Sequence, residues 1–194
     1  MPISHKHKLI FIHIPKNAGT SICKNLDTED VGHHKYDYYV SKYPKEWNEY
    51  KKIAIIRNPW SRTVSNYEYG KMSESYWHSF TKKTLYGPHP DYELLKNMSF
   101  EECVNSFYED RTLLKHHGWS LQYNYITDQN KNIVVDILID CENVNSEFKK
   151  LFNIDLININ QSKHKDYKEY YNDDLINKIS QIYKKDIQIF NFKY

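Results

Sequence analysis

No apolar run in this 194-residue chain approaches the ~20 residues that a bilayer span requires. The N-terminal stretch, Met-Pro-Ile-Ser-His-Lys-His-Lys, also lacks the apolar core of a secretory signal. A cytoplasmic protein without a transmembrane segment is therefore expected. Cysteine is scarce. Cys23, Cys103 and Cys141 are odd in number, far apart and form no C-x-x-C pair. Reduced, buried thiols fit that pattern better than disulfides or zinc. The ten histidines show no metal-ligand spacing, so no metal is expected. Charge of one sign is missing too. The net charge is only +2, which gives no global field for nucleic acid. Arginine occurs only as Arg57, Arg62 and Arg111. No internal repeat, low-complexity linker or domain boundary is visible, so residues 1–194 read as a single domain. With 40% hydrophobic and 27% charged residues, the chain is neither disordered nor a membrane protein, and it is long enough for a real core.

What is present centres on Leu9–Leu26. Leu9 to Ile14 is an apolar, β-branched run that predicts a buried strand, with a helix the alternative that periodicity alone leaves open, and Pro15, which cannot donate to a ladder, stops it. Lys16-Asn17-Ala18-Gly19 forms a tight turn. Thr20-Ser21 then opens a helix with Ile22, Cys23 and Leu26 on one face. A strand, a small-residue turn and a helix present backbone N–H groups and a helix dipole to an anion. Lys16 adds a full charge at the mouth, so the segment predicts a cradle for a phosphate-like group. The common P-loop, Gly-x-x-x-x-Gly-Lys-Ser/Thr, is absent: here the lysine lies three residues before the glycine. A structural strand–turn–helix with a solvated lysine is the plainer alternative.

Lys52–Arg57 is a second buried-strand candidate. Asn58-Pro59 reads as the N-cap and first residue of a helix running to about Tyr69, with Val64, Tyr67 and Trp60 inward. Arg57 at the strand end and Ser65 on the helix face the carboxyl end of the sheet, where ligands of open α/β folds bind. Arg57 offers a planar fork of donors that suits a phosphate. Between the two units, Asp27–Tyr50 reads as loop and short helix. Lys71–Asn97 is irregular, with a break at Gly87-Pro88. Ser99-Phe100-Glu101-Glu102 is a capping box, and Ile133–Ile139 is a third strand candidate, followed by a helix from about Asn145 to Phe152. Asn172 caps a last helix whose apolar positions run from Leu175 to Ile187. Strands alternating with helices predict an α/β fold with a mostly parallel central sheet covered on both faces.

Pro15–Ser21 and Arg57–Tyr67, taken together and in that order, resemble the sulfotransferase family. The first matches the family's 5′-phosphosulfate loop, Pro-Lys-x-x-Gly-Thr-Ser. The second matches its 3′-phosphate motif, Arg-Asn/Asp-Pro-x-x-Arg-x-x-Ser-x-Tyr. The chain is most similar to the carbohydrate branch, of the heparan sulfate 2-O type, and its bacterial and viral relatives. The tail, with Tyr167-Lys168-Glu169-Tyr170-Tyr171 before the last helix, follows that branch; residues 71–130 resemble it least.

The resemblance implies a P-loop-like sulfotransferase fold and the donor 3′-phosphoadenylyl sulfate (PAPS), with 3′-phosphoadenosine 5′-phosphate (PAP) as product and no metal. Lys16, Asn17, Ala18, Gly19 and Thr20, through their backbone, and the Ser21 hydroxyl would hold the phosphosulfate. Arg57 and Ser65 would hold the 3′-phosphate, and Lys16 would neutralise the leaving oxygen. The 160–165 loop is a candidate lid. A base for a hydroxyl acceptor, a carbohydrate on this resemblance, is implied within Gly32-His33-His34-Lys35-Tyr36. His33 is in register and His34 is the alternative; a surface histidine pair is the plainer reading. His116 and His117 are weaker candidates, for acceptor binding. A P-loop kinase or hydrolase, which would need magnesium ligands, and a non-catalytic nucleotide-binding relative remain competing readings.

Overall fold

Runs such as Leu-Ile-Phe-Ile and Ile-Ala-Ile-Ile put apolar side chains on both faces of a strand, and a parallel sheet buried on both sides accommodates them. The computed structural model describes residues 3–26, 28, 32–73, 89–156 and 165–194. Among the described residues four strands, β1 (Ile3–Ser4), β2 (Leu9–Ile12), β3 (Lys51–Ile56) and β4 (Ile137–Asp140), lie in the order β1-β2-β3-β4. β1 is antiparallel to β2, while β2, β3 and β4 are parallel, with Phe11 opposite Ile53 and Ile55 opposite Ile139. The expected α/β architecture, a P-loop-like sheet with flanking helices, is the one found. The first four helices are α1 (Gly19–Asn25), α2 (Tyr36–Lys42), α3 (Pro44–Glu49) and α4 (Pro59–Lys71). Among the described residues no helix is long and apolar enough to cross a membrane.

The chain folds as two compact units, Met1–Asn58 with Ser120–Gln161, and Pro59–Trp119 with Ser162–Tyr194. The first holds the sheet. Leu9 and Phe11 of β2, Ile53 and Ile55 of β3 and Ile139 of β4 share one core with Ile22, Cys23 and Leu26 of α1 and Val144 and Phe148 of the helix Val144–Phe152. Alternation sends Ile10, Ile12, Ala54 and Ile56 to the opposite face, and these are buried as well. The start of β3 is clasped by Asp136. The Lys52 N–H donates to Asp136 Oδ2 at 2.7 Å, the Asp136 N–H donates to the Lys52 carbonyl at 2.9 Å, and Lys52 Nζ lies 2.9 Å from the same carboxylate.

The second unit packs α4 with the helices Phe100–Glu109 and Asp173–Ile182. Trp60, Val64 and Tyr67 of α4 are buried, as expected. So are its polar residues, among them Arg62, Ser65 and Asn66. Asn66 Nδ2 donates to the Gly118 carbonyl at 2.7 Å, and Tyr171, from the tail element, donates its hydroxyl to the Trp60 carbonyl at 2.9 Å. The Tyr183 phenol is pushed up to about 12 by burial, against the pull of the Arg62 charge. The capping box is present: Ser99 Oγ accepts from the Glu102 N–H while Glu102 accepts from the Ser99 N–H.

Several boundaries differ from the sequence reading, each for a local reason. β2 stops at Ile12, not Ile14, because the Ile14 N–H turns back onto the Ile12 carbonyl at 3.1 Å. β4 spans Ile137–Asp140, whereas Ile133 leaves the sheet and bridges Thr127, in a turn organised by the Asp128 carboxylate on the Asn130 and Asn132 N–H groups. Asn172 does cap a helix, but that helix ends at Ile182 and a second, Lys184–Phe190, follows after Tyr183. The Gly87-Pro88 break and most of the lid candidate at 160–165 lie outside the described residues. The three cysteines are thiols rather than disulfides: Cys23 and Cys103 are buried and Cys141 is partly so.

Asp136 gives the fold a pH signature. Burial pushes its carboxyl up, but hydrogen bonds from Lys52 and the charges of Lys52 and Lys51 outweigh this and hold it below the usual carboxylate range. A depressed folded value means stabilisation that is present above the unfolded value of about 3.9 and lost as pH falls through the folded one. Asp136→Asn should lower the urea midpoint at neutral pH, with the gap from wild type present above the unfolded value of about 3.9 and closing as pH falls below it. A gap constant with pH would exclude charge as its cause.

Candidate active site

Pro15–Ala18 carries the chain from β2 into α1. His13 and Ile14, just before it, are buried, 4% and 0% exposed. Lys16 and Ala18 both have left-handed backbone, φ 68° and 58°. Neither is glycine, and that region costs an L-residue roughly 1–2 kcal/mol. Asn17, between them, is the tie that holds the turn. It is 1% exposed, and its Nδ2 donates at 2.7 Å to the Ile55 carbonyl and at 2.7 Å to Gln122 Oε1. The Asn17 side chain thus anchors the loop to β3. α1 starts at Gly19, one residue earlier than expected. Ala18, its N-cap, provides no side-chain acceptor, so the first turn gets no cap from that position. Thr20 and Ser21 follow within the helix, Ser21 buried.

Gly19 is required by space. A Cβ there would stand 1.7 Å from His13 Nε2. The same imidazole stacks on Phe11 with ring centroids 5.5 Å apart and meets the edge of His33 at 4.1 Å. His33 Nδ1 lies 3.0 Å from the His13 carbonyl oxygen. A carbonyl only accepts, so Nδ1 carries the proton and Nε2 is the basic nitrogen of the neutral ring. His34 stacks instead on Tyr38, centroids 3.8 Å apart and planes within 11°.

Arg57 follows directly after β3. Its N–H donates to Gln122 Oε1 at 2.9 Å, its carbonyl accepts from Gln122 Nε2 at 2.8 Å, and its Nη1 donates to the Lys16 carbonyl at 3.2 Å. The guanidinium charge also reaches Cys141, where it opposes the upward push of burial on the thiol. Of the residues singled out in the sequence, Lys16, Asn17, Ala18, Gly19, His33 and Arg57 are drawn together around this loop. Ser65 belongs to the other unit, buried on α4. His116 is also in that unit, its ring tilted against those of His89 and His117 at 4.6 Å and 4.3 Å. Sequence reasoning missed His13, hidden inside an apolar run, and Gln122, an isolated amide in a polar loop. Among the described residues, no group of three or more His, Cys, Asp or Glu is arranged to hold a metal ion.

A family model described as the sulfotransferase family matches residues 1–193. The chain belongs to the sulfotransferase family. A comparison with curated proteins finds no match. Sulfuryl transfer is the chemistry of the family, and the β2–loop–α1 unit of this sulfotransferase has the strand–turn–helix form of a phosphate cradle. Gly19 sets a demand on that cradle. Gly19→Ala should destabilise the enzyme by about 1–3 kcal/mol in urea unfolding, as expected for overpacking. Removing the His13 ring in Gly19→Ala/His13→Ala should recover part of that loss. Wild-type stability in Gly19→Ala would show that the imidazole does not occupy this space.

Proposed function

We propose that this sulfotransferase moves a sulfuryl group from PAPS to a hydroxyl of a carbohydrate acceptor, as in the heparan sulfate 2-O branch and its bacterial and viral relatives. The observation that carries the reading is the contact between Arg57 Nη1 and the Lys16 carbonyl, 3.2 Å across 41 residues of sequence. It joins the two segments that resemble the 5′-phosphosulfate and 3′-phosphate motifs. The family match runs through both compact units, which supports taking residues 1–194 as one sulfotransferase domain. Three cysteines kept as thiols suit a reducing compartment, and the cytoplasm is our proposed place of reaction.

The roles follow from residue chemistry. Sulfuryl transfer, like phosphoryl transfer, has a loose, in-line transition state in which positioning and charge stabilisation dominate. Lys16 supplies the charge that meets the growing negative charge on the bridging oxygen of the nucleotide. The backbone of Lys16, Asn17, Ala18, Gly19 and Thr20 and the Ser21 hydroxyl hold the 5′ end, and Arg57 and Ser65 hold the 3′-phosphate. The Asn17 side chain acts from inside the loop and leaves only its backbone for the donor. His33 is the base in this reading, because its Nδ1 is occupied by the His13 carbonyl and its Nε2 can take the acceptor proton. The scheme assigns no role to a divalent metal.

Titration calorimetry tests the donor. PAP should bind without metal, and a preference for ATP with magnesium would end the reading in favour of a kinase or hydrolase. Arg57→Ala should weaken PAP binding about 10- to 150-fold, the loss of a charge-assisted contact of about 1.5–3 kcal/mol. Lys16→Ala should lower kcat by at least about 100-fold while the protein stays folded. With a transferable acceptor found by screening sugars against labelled donor, His33→Ala should lose about 10²–10⁴-fold in kcat at unchanged PAP affinity, and His34→Ala should not. Wild-type rates in both variants would take this histidine pair out of the mechanism.

A further inference from the structure

We infer that Gln122, which lies in neither donor motif, is the positioning residue that locks the lysine loop to Arg57. The inference rests on the sulfuryl-transfer reading above. Gln122 is 0% exposed, and its carboxamide closes a circuit. Nε2 donates to the Arg57 carbonyl at 2.8 Å. Arg57 Nη1 donates to the Lys16 carbonyl at 3.2 Å. Lys16 is bonded to Asn17, and Asn17 Nδ2 returns to Gln122 Oε1 at 2.7 Å. The Arg57 N–H donates to the same Oε1 at 2.9 Å.

Two features make this a positioning device. First, the sheet ladder ends where Ile56 pairs with Asp140. One residue further on, the Gln122 side chain takes over the part of a neighbouring strand, accepting from the N–H and donating to the carbonyl of Arg57. Both backbone groups of Arg57 are thereby paired, as they would be if β3 continued. Second, the same oxygen holds Asn17, the residue between the two left-handed positions Lys16 and Ala18. A carboxamide carries an acceptor and a donor side by side without charge at neutral pH. A carboxylate at this buried point would face the Arg57 carbonyl with no proton to give. Methionine, of similar shape, would remove the Gln122 hydrogen bonds to Asn17 and to both backbone groups of Arg57.

The test is a double-mutant cycle on PAP affinity, with urea unfolding run in parallel. Gln122→Met and Asn17→Ala should each weaken PAP binding by about tenfold or more when both proteins are folded. The double variant should be no weaker than the worse single, because both changes cut one circuit. Turnover should fall in kcat/KM by more than the folded fraction accounts for. Additive losses, or wild-type PAP affinity in folded Gln122→Met, overturn the inference. If Gln122→Met does not fold, Asn17→Ala is the remaining test, since it cuts the loop's ties to Gln122 and to the Ile55 carbonyl and leaves Gln122 on Arg57; unchanged PAP affinity there overturns the inference too. Failure of the wild-type enzyme to bind PAP would refute the sulfuryl-transfer reading itself, whereas wild-type binding with unaffected variants refutes only the role of Gln122.

Discussion

β3 is flanked on both sides by parallel partners, and the candidate site depends on that pairing. Its register with β2 sets where the loop after Ile12 stands relative to the residue after Ile56. Its register with β4 fixes the end of the ladder at Asp140. Burial on both faces makes the register stringent, since a one-residue slip would move each apolar side chain to the opposite face. The loop itself is strained at two non-glycine positions and is restrained by buried amides from Asn17 and Gln122. The apolar core therefore sets the frame, and a few buried polar groups set the positions within it. This division suits a site whose chemistry relies on placement.

The sequence was most readable where hydrophobic period and turn chemistry agreed. Leu9–Ile12 and Ile53–Ile56 are runs that few other structures could bury. Ser99 and Glu102 stand at capping-box spacing. The α4 start at Pro59 follows from proline's fixed φ. Where one signal stood alone, it misled. Val134 and its β-branched neighbour Ile133 looked like strand, but the Asp128 side chain draws that stretch into a turn, and the ladder starts only after Asp136 clasps Lys52. The apolar spacing from Leu175 to Ile187 gave no sign of a break at Tyr183, because the period continues across it. β1, two residues long, had no pattern to find.

The candidate site was legible in its charged and small residues and illegible in its supports. Lys16, Gly19 and Arg57 stand out because their chemistry is unusual at those positions. Gly19 illustrates the limit. It stands in a tight turn, yet the left-handed angles fall on Lys16 and Ala18, and the constraint on Gly19 is the His13 ring. Gln122 could not be read from sequence at all. Its partners include backbone atoms 65 residues away, and backbone atoms leave no trace in side-chain identity.

β3 is gripped at both ends by residues from the later part of the chain, Asp136 through its backbone N–H and carboxylate on Lys52 and Gln122 through its side chain on Arg57. Each clasp engages the N–H and carbonyl of a single residue, so the five-residue step between them works as a ruler, about 17 Å long at 3.3–3.4 Å per residue. An insertion or deletion inside that interval would have to be matched by a shift of both clasps or would misplace Arg57. Changes of length in the loops outside it carry no such penalty. Changes of chain length are thereby better tolerated in connecting segments that neither clasp touches than within β3.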